Sequence, residues 1–163
     1  MDLFLMRHGR AEHHAPSDAE RALTAEGVEL LRGEALGLKR LGVSFDAILA
    51  SPMRRAQQTA AEIRDSLDLE IEIGTCRGLA SGEHDQVLIE LGAYGGESVL
   101  LVGHLPLISE LASRLLYGDE RGDISFEPGS LLHLSIDRAP QPSCSALHWH
   151  LTPKQLLLIG EAD

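Results

Sequence analysis

The sequence predicts an α/β fold: a three-layer α/β/α sandwich whose central sheet is mostly parallel and closes on an antiparallel C-terminal edge. Three observations predict it. Continuous apolar runs at 3–6 and 99–102 alternate with segments of helical spacing, as buried parallel strands alternate with crossover helices. The last two apolar stretches, 131–136 and 146–151, follow each other with no helical segment between them, which suits an antiparallel hairpin or edge. Finally, 163 residues without an internal repeat or linker suit a single domain, 1–163, with one sizeable core.

Residues 3–6 form the first strand. Val28, Leu31, Ala35 and Leu38 then recur at helical spacing, with Thr24 as N-cap and Gly42 as stop. Residues 45–50 read as a second strand. Ser51-Pro52 reads as an N-cap followed by proline at the first helical position, opening a helix to about Ser66. Residues 70–73 alternate and predict a short strand. Val87, Leu88, Leu91 and Tyr94 predict another helix, and 99–102 a central strand. From 105 to 117 the chain is helical, with Leu107, Ile108, Leu111 and Leu115 on one face. The two late strands are joined by a loop at 138–145 that holds two prolines.

Aromatic residues are only 4% of the chain, so the core is built from Leu, Ile, Val and Ala. The apolar start is too short for a secretory signal, and no stretch reaches the length of a membrane span. A soluble cytoplasmic protein is expected. The net charge of −11 disfavours nucleic acid and anionic membranes as partners. Any phosphate site must then be a local basic island. With Lys39 and Lys154 the only lysines, arginine supplies nearly all of its charge, and arginine suits bidentate phosphate contacts.

Such an island is visible where the apolar strands end. The first runs into Arg7-His8-Gly9, the second into Ser51-Pro52-Met53-Arg54-Arg55, the central one into Gly103-His104. Open parallel sheets bind ligands beyond the carboxyl ends of their strands, so Arg7, His8, Arg55 and His104 are expected at one edge. The chemistry is that of phosphoryl transfer. Arginines neutralise the phosphoryl oxygens and hold phosphorus in line. Neutral imidazole is a competent nucleophile near pH 7. A second histidine donates to oxygens that gather charge in the transition state. This set calls for no metal and no cofactor.

Leu5-Met6-Arg7-His8-Gly9 resembles the R-H-G signature of the histidine phosphatase superfamily, the phosphoglycerate mutase-like fold. The run from Ser51 to Ala60 is similar to that family's S-P-x-x-R-A-x-Q-T motif, and Gly103-His104 to its third element. The short length, the stretch from Ser17 to Thr24 and His104-Leu105-Pro106-Leu107 most resemble SixA-type phosphohistidine phosphatases. The resemblance implies His8 as the phosphorylated nucleophile, Arg7 and Arg55 as clamps, and His104 as the second pocket histidine. It places Arg21 in the phosphate pocket or on its rim, and gives Gly9 the task of turning the backbone close to phosphate. Gln58 and Thr59 hold helix and loops, while Ser51 caps its helix.

Larger members carry a glutamate general acid between the second and third motifs. Glu83 is the candidate here, although no motif places it. A phosphohistidine substrate needs less proton donation, because imidazole leaves more readily than an alkoxide. The expected partner is a phosphorylated protein such as a histidine phosphotransfer domain. A small sugar or nucleotide phosphate ester, or a non-catalytic phosphoprotein-binding role, are the alternatives. A monomer is expected.

The other reactive side chains have plainer readings. Arg54 is solvated, and Arg21 is divided between phosphate contact and a salt bridge with Asp18 or Glu20. The pairs His13–His14 and His148–His150 lack a metal-ligand motif; the second pair reads as exposed positions on one strand face flanking a buried Trp149. Cys76 and Cys144 are inert free thiols. Acidic residues along the helices form solvated faces. Pro128-Gly129 is a turn, and a candidate lip of the pocket.

Overall fold

The computed structural model describes residues 1–137 and 139–162. One six-stranded sheet organises them, built from β1 (Asp2–Arg7), β2 (Ala47–Ala50), β3 (Ile73–Thr75), β4 (Ser98–Gly103), β5 (Leu131–Ile136) and β6 (Ser145–Leu151) in the order β3-β2-β4-β1-β5-β6. The first four strands are parallel. β5 pairs antiparallel with β1, and β6 antiparallel with β5. Arg138, which opens the expected loop between the last two strands, lies outside the described residues.

Alternation along the strands divides the core in two. Leu3, Leu5, Leu49, Val99, Leu101, Leu132 and Leu134 face α4 (His84–Tyr94) and α5 (Leu107–Tyr117) through Val87, Leu91, Ile108 and Leu111. Phe4, Met6, Ile48, Leu100, Val102 and Leu131 face α1 (Ala25–Arg40), α2 (Arg54–Ser66) and α6 (Pro153–Glu161) through Leu31, Leu38, Ile63 and Leu156. This period-two division, helices on each side, is the expected three-layer sandwich. Thr24 caps α1 as expected, its hydroxyl accepting the Gly27 N–H at 2.9 Å.

Several elements differ from expectation. The third strand runs over Ile73–Thr75 because those residues pair with Ile48–Ala50; the alternating 70–73 stretch lies mostly before it. A short helix, α3 (Gly78–Ser81), precedes α4, and α6 was not anticipated. Thr152 and Gln155 form a reciprocal capping box around Pro153, and α6 packs on α1 where Gly33 and Gly37 leave room for Leu157 and the Leu156 carbonyl. Ser51-Pro52 does not start α2. The Ser51 N–H still bonds the Val102 carbonyl at 3.0 Å, so the chain remains in the sheet there and the helix begins at Arg54 after Met53.

The late histidines also rearrange. A bulge between His133 and Leu134 breaks the alternation of β6. His148 therefore stacks on His133, whereas His150 is half-buried against Phe126 on the opposite face. Trp149 is only partly buried.

Glu34 is not on a solvated face. It is 1% exposed, and its carboxylate lies where a side chain on Gly129 would sit. Burial pushes its pKa up to about 8, against a small opposing pull from Arg10. A carboxyl whose folded pKa lies above its unfolded value loses stability for the fold as pH rises between roughly 4.5 and 8. Glu34→Met, similar in shape and apolar, should raise unfolding free energy, and by on the order of 2–3 kcal/mol more at pH 8 than at pH 5.5. Urea denaturation at the two pH values reads the difference; equal gains at both would refute a buried proton on Glu34.

Candidate active site

The strand ladders extend past their last residues into the site. The His8 N–H bonds the Gly103 carbonyl at 2.9 Å, while Ser51 bonds Val102. With β4 lying between β1 and β2, the chain ends at His8, His104 and Ser51 meet at one sheet edge, and α2 carries Arg55 over it.

His8 is buried, 8% exposed. Its Nδ1 is 2.7 Å from the Gly9 carbonyl, and its Nε2 is 3.1 Å from Arg55 Nε. A carbonyl only accepts and a guanidinium only donates. His8 must therefore carry its proton on Nδ1 and present the Nε2 lone pair. Burial lowers its pKa to about 4, opposed by the Gly9 carbonyl and reinforced by Arg55, His104 and Arg7. The ring is thus neutral across the physiological range.

Arg55 is 5% exposed and fully engaged. Besides the bond to His8, Nη1 donates to the Asp18 carbonyl at 2.6 Å and Nη2 to the Asp18 carboxylate at 3.0 Å. Asp18 also accepts from Arg21 at 3.0 Å, and bonds from both arginines hold its carboxyl below the usual range. Arg21 donates in addition to the Glu12 carbonyl. Arg7 donates to the Phe126 carbonyl at 2.7 Å, leaving Nε buried without a protein partner.

His104 lies beside His8, with ring centroids 6.1 Å apart. Its Nε2 is 2.8 Å from the Leu79 carbonyl and 3.3 Å from the Ser51 hydroxyl, and Nδ1 is buried without a partner. Burial lowers its pKa as well. Among the described residues these two nitrogens, Arg7 Nε and His104 Nδ1, are buried without a partner.

The supporting residues do what their types allow. Thr59 accepts the Gly9 N–H at 3.0 Å and donates to the Arg55 carbonyl at 2.7 Å, tying the first motif to α2. Gln58 accepts the Leu23 N–H. Gly9 is not among the positive-φ glycines, and a side chain there would strike Leu31, so glycine lets α1 pack closely against it. Arg7, His8, Gly9, Arg21 and Pro128 line one hollow of about 380 Å³ that also includes Arg10 and His13. Arg54 is exposed, and Cys76 and Cys144 are free thiols. Glu83 is exposed at the start of α4, in a separate hollow with His84 and Arg114. Sequence reasoning missed Asp18 as the brace of Arg55 and Ser51 as a neighbour of His104. The Asp18–Arg21 spacing and the serine at a strand end were the available signals.

Residues 3–80 match the model of the histidine phosphatase superfamily (branch 1). A phosphohistidine phosphatase SixA homolog of Haemophilus influenzae is 39% identical over 148 residues, covering 84% of this chain and 89% of the relative. The chain belongs to the histidine phosphatase superfamily. Phosphohistidine phosphatase SixA of Escherichia coli is 33% identical over 164 residues, covering 96% of both chains. The protein histidine phosphatase SixA complexed with tungstate superposes with a TM-score of 0.85 at 32% identity, covering 96% of this chain and 99% of that one. This histidine phosphatase fold accordingly brings the expected Arg7, His8, Arg55 and His104 together, although the four come from three separated segments.

The neutral state of His8 can be measured directly. In NMR titration of the imidazole, His8 is expected to protonate near pH 4; a midpoint near 6.5 would contradict its burial. Because the folded value lies below the unfolded value of about 6.5, its contribution to stability is complete above that pH and disappears as pH falls toward 4.

Proposed function

We propose that this protein is a phosphohistidine phosphatase that transfers a phosphoryl group from a histidine of a partner protein to its own His8 and then to water. The observation that carries the reading is the state of His8: Nδ1 is pinned by the Gly9 carbonyl, and Nε2 presents its electron pair to the Arg55 Nε–H, with Arg7 and His104 beside the ring. The names of the SixA relatives support the substrate class.

In the first step the Nε2 electron pair attacks phosphorus and the P–N bond to the substrate imidazole breaks. The departing ring nitrogen takes a proton from solvent. In the second, water attacks phosphorus, the P–Nε2 bond breaks, and inorganic phosphate leaves with His8 restored. The incoming dianion also acts on His104. A nearby negative charge raises an imidazole pKa, so Nδ1 gains a proton and becomes a donor to the phosphoryl oxygens. Arg7, Arg55 and protonated His104 then supply the positive charge, a set that needs no metal. Arg21 stands on the rim and steadies Asp18. Glu83 is assigned no proton transfer, since imidazole is a good leaving group.

A side-by-side assay on a phosphohistidine-bearing protein and on sugar and nucleotide phosphate esters, with a chelator present, tests the whole reading. Expected are a large preference for the phosphoramidate and full activity in chelator. A preference for esters would overturn the substrate class, and loss of activity restored by added metal would overturn the metal-free chemistry.

A further inference from the structure

We propose that Asp2, His133 and His148 form a binding site for a divalent transition-metal ion, remote from the phosphoryl site, that clasps strands β1, β5 and β6. Two imidazoles and a carboxylate are brought together there, with candidate ligand atoms within 4.8 Å of one another. This donor set suits zinc and its neighbours, with water completing the coordination.

The three residues are not adjacent in sequence, and each arrives by a definite structural route. Asp2 opens β1, two residues before Phe4 and on the same side of the strand. His133 pairs with Phe4 across the antiparallel ladder. Its ring lies flat against Phe4, centroids 4.2 Å apart and planes 6° apart, which fixes its orientation. Its Nε2 is 2.8 Å from Asp2 Oδ1. His148 would face the other side of the sheet under simple alternation. The bulge at His133/Leu134 is what turns it back, so that its ring lies 4.5 Å from that of His133. Bulges commonly re-aim a side chain in this way.

His133 is largely buried, its Nδ1 has no partner, and Nε2 meets a carboxylate. A metal ion can replace the proton between Nε2 and Asp2, using the same lone pairs. Zinc holds such donors at about 2.0–2.2 Å, so the present spacing of 2.8 Å widens modestly. Asp2 and His148 are both exposed and free to adjust. Asp2 lies five residues from Arg7 along β1, roughly 17 Å at strand rise. Binding here can therefore stabilise the sheet edge without entering the phosphoryl chemistry.

The test uses chelator-stripped full-length protein and Zn²⁺ as the probe, read by isothermal titration and by thermal unfolding. His8 and His104 are a second pair of imidazoles, so His104→Ala serves as the control for zinc in the phosphate pocket. Expected is a binding event that survives in His104→Ala and weakens by about 10-fold or more in His148→Ala and in Asp2→Asn. Zinc should raise the melting temperature of the wild type and leave that of His148→Ala unmoved. Equal zinc affinity and equal thermal shifts in wild type, His148→Ala and Asp2→Asn would overturn the site. So would binding that is lost in His104→Ala and kept in His148→Ala.

Discussion

His8→Ala should lose turnover of a phosphohistidine protein by about four orders of magnitude or more, since the electron pair that accepts the phosphoryl group is gone. The reason is specific to the site. Near His8, Arg7, Arg55 and Arg21 can only donate hydrogen bonds, and His104, its Nε2 committed to the Leu79 carbonyl, offers only Nδ1, which the proposed mechanism protonates. His8 combines a neutral ring, a proton fixed on the far nitrogen and a lone pair pointed toward the guanidinium of Arg55. The measurement is initial rate against the spontaneous hydrolysis of the substrate, with circular dichroism confirming the fold. Rapid quench without acid should trap phosphate on the wild-type enzyme and none on the variant. A variant that turns over at the wild-type rate would refute phosphoryl transfer through His8, and a wild type that never carries phosphate would refute the covalent intermediate.

Much of this arrangement is legible in the sequence. β1 and β4 are continuous apolar runs buried on both sides, and such runs have few other readings. Because Arg7, His8 and His104 follow those runs directly, topology alone placed them at one edge. What could not be read were contacts that depend on three-dimensional register. The bulge that turns His148 back is one residue long and leaves no trace in the alternation of residues 145–151. Asp18 carries no motif of its own, and only the fold of the loop over Arg55 gives it two arginine partners. Glu34 occupies a core position of α1 in a chain rich in acidic helix residues, where composition argues for solvent. α6 is a different case. Its Thr152-Pro153 start and Gln155 are a readable capping signal, but Leu156, Leu157 and Leu158 run consecutively and mask helical periodicity.

The clamp around Arg55 leads to the second large effect. Arg55→Ala should lower kcat by about 10³-fold, close to 4 kcal/mol, and Arg55→Lys should recover little of it. The Nε–H of Arg55 donates to the lone pair that the proposed mechanism uses on His8. Attack requires that this N–H move from Nε2 to a phosphoryl oxygen, while Nη1 and Nη2 stay anchored on Asp18. The proposed mechanism therefore has the guanidinium pivot on its Asp18 brace and neutralise charge on the phosphoryl group. A lysine has one nitrogen and no fixed fork, so it cannot hold Asp18 and meet the phosphoryl group in a set geometry. Asp18→Asn keeps a carbonyl acceptor and should be milder than either change. Steady-state kinetics on a phosphohistidine protein separate the cases: the loss should fall mainly on kcat, because the new bond forms as charge develops on phosphorus. If Arg55→Lys matched the wild type, simple positive charge would be sufficient and the pivot would have no part in the reaction.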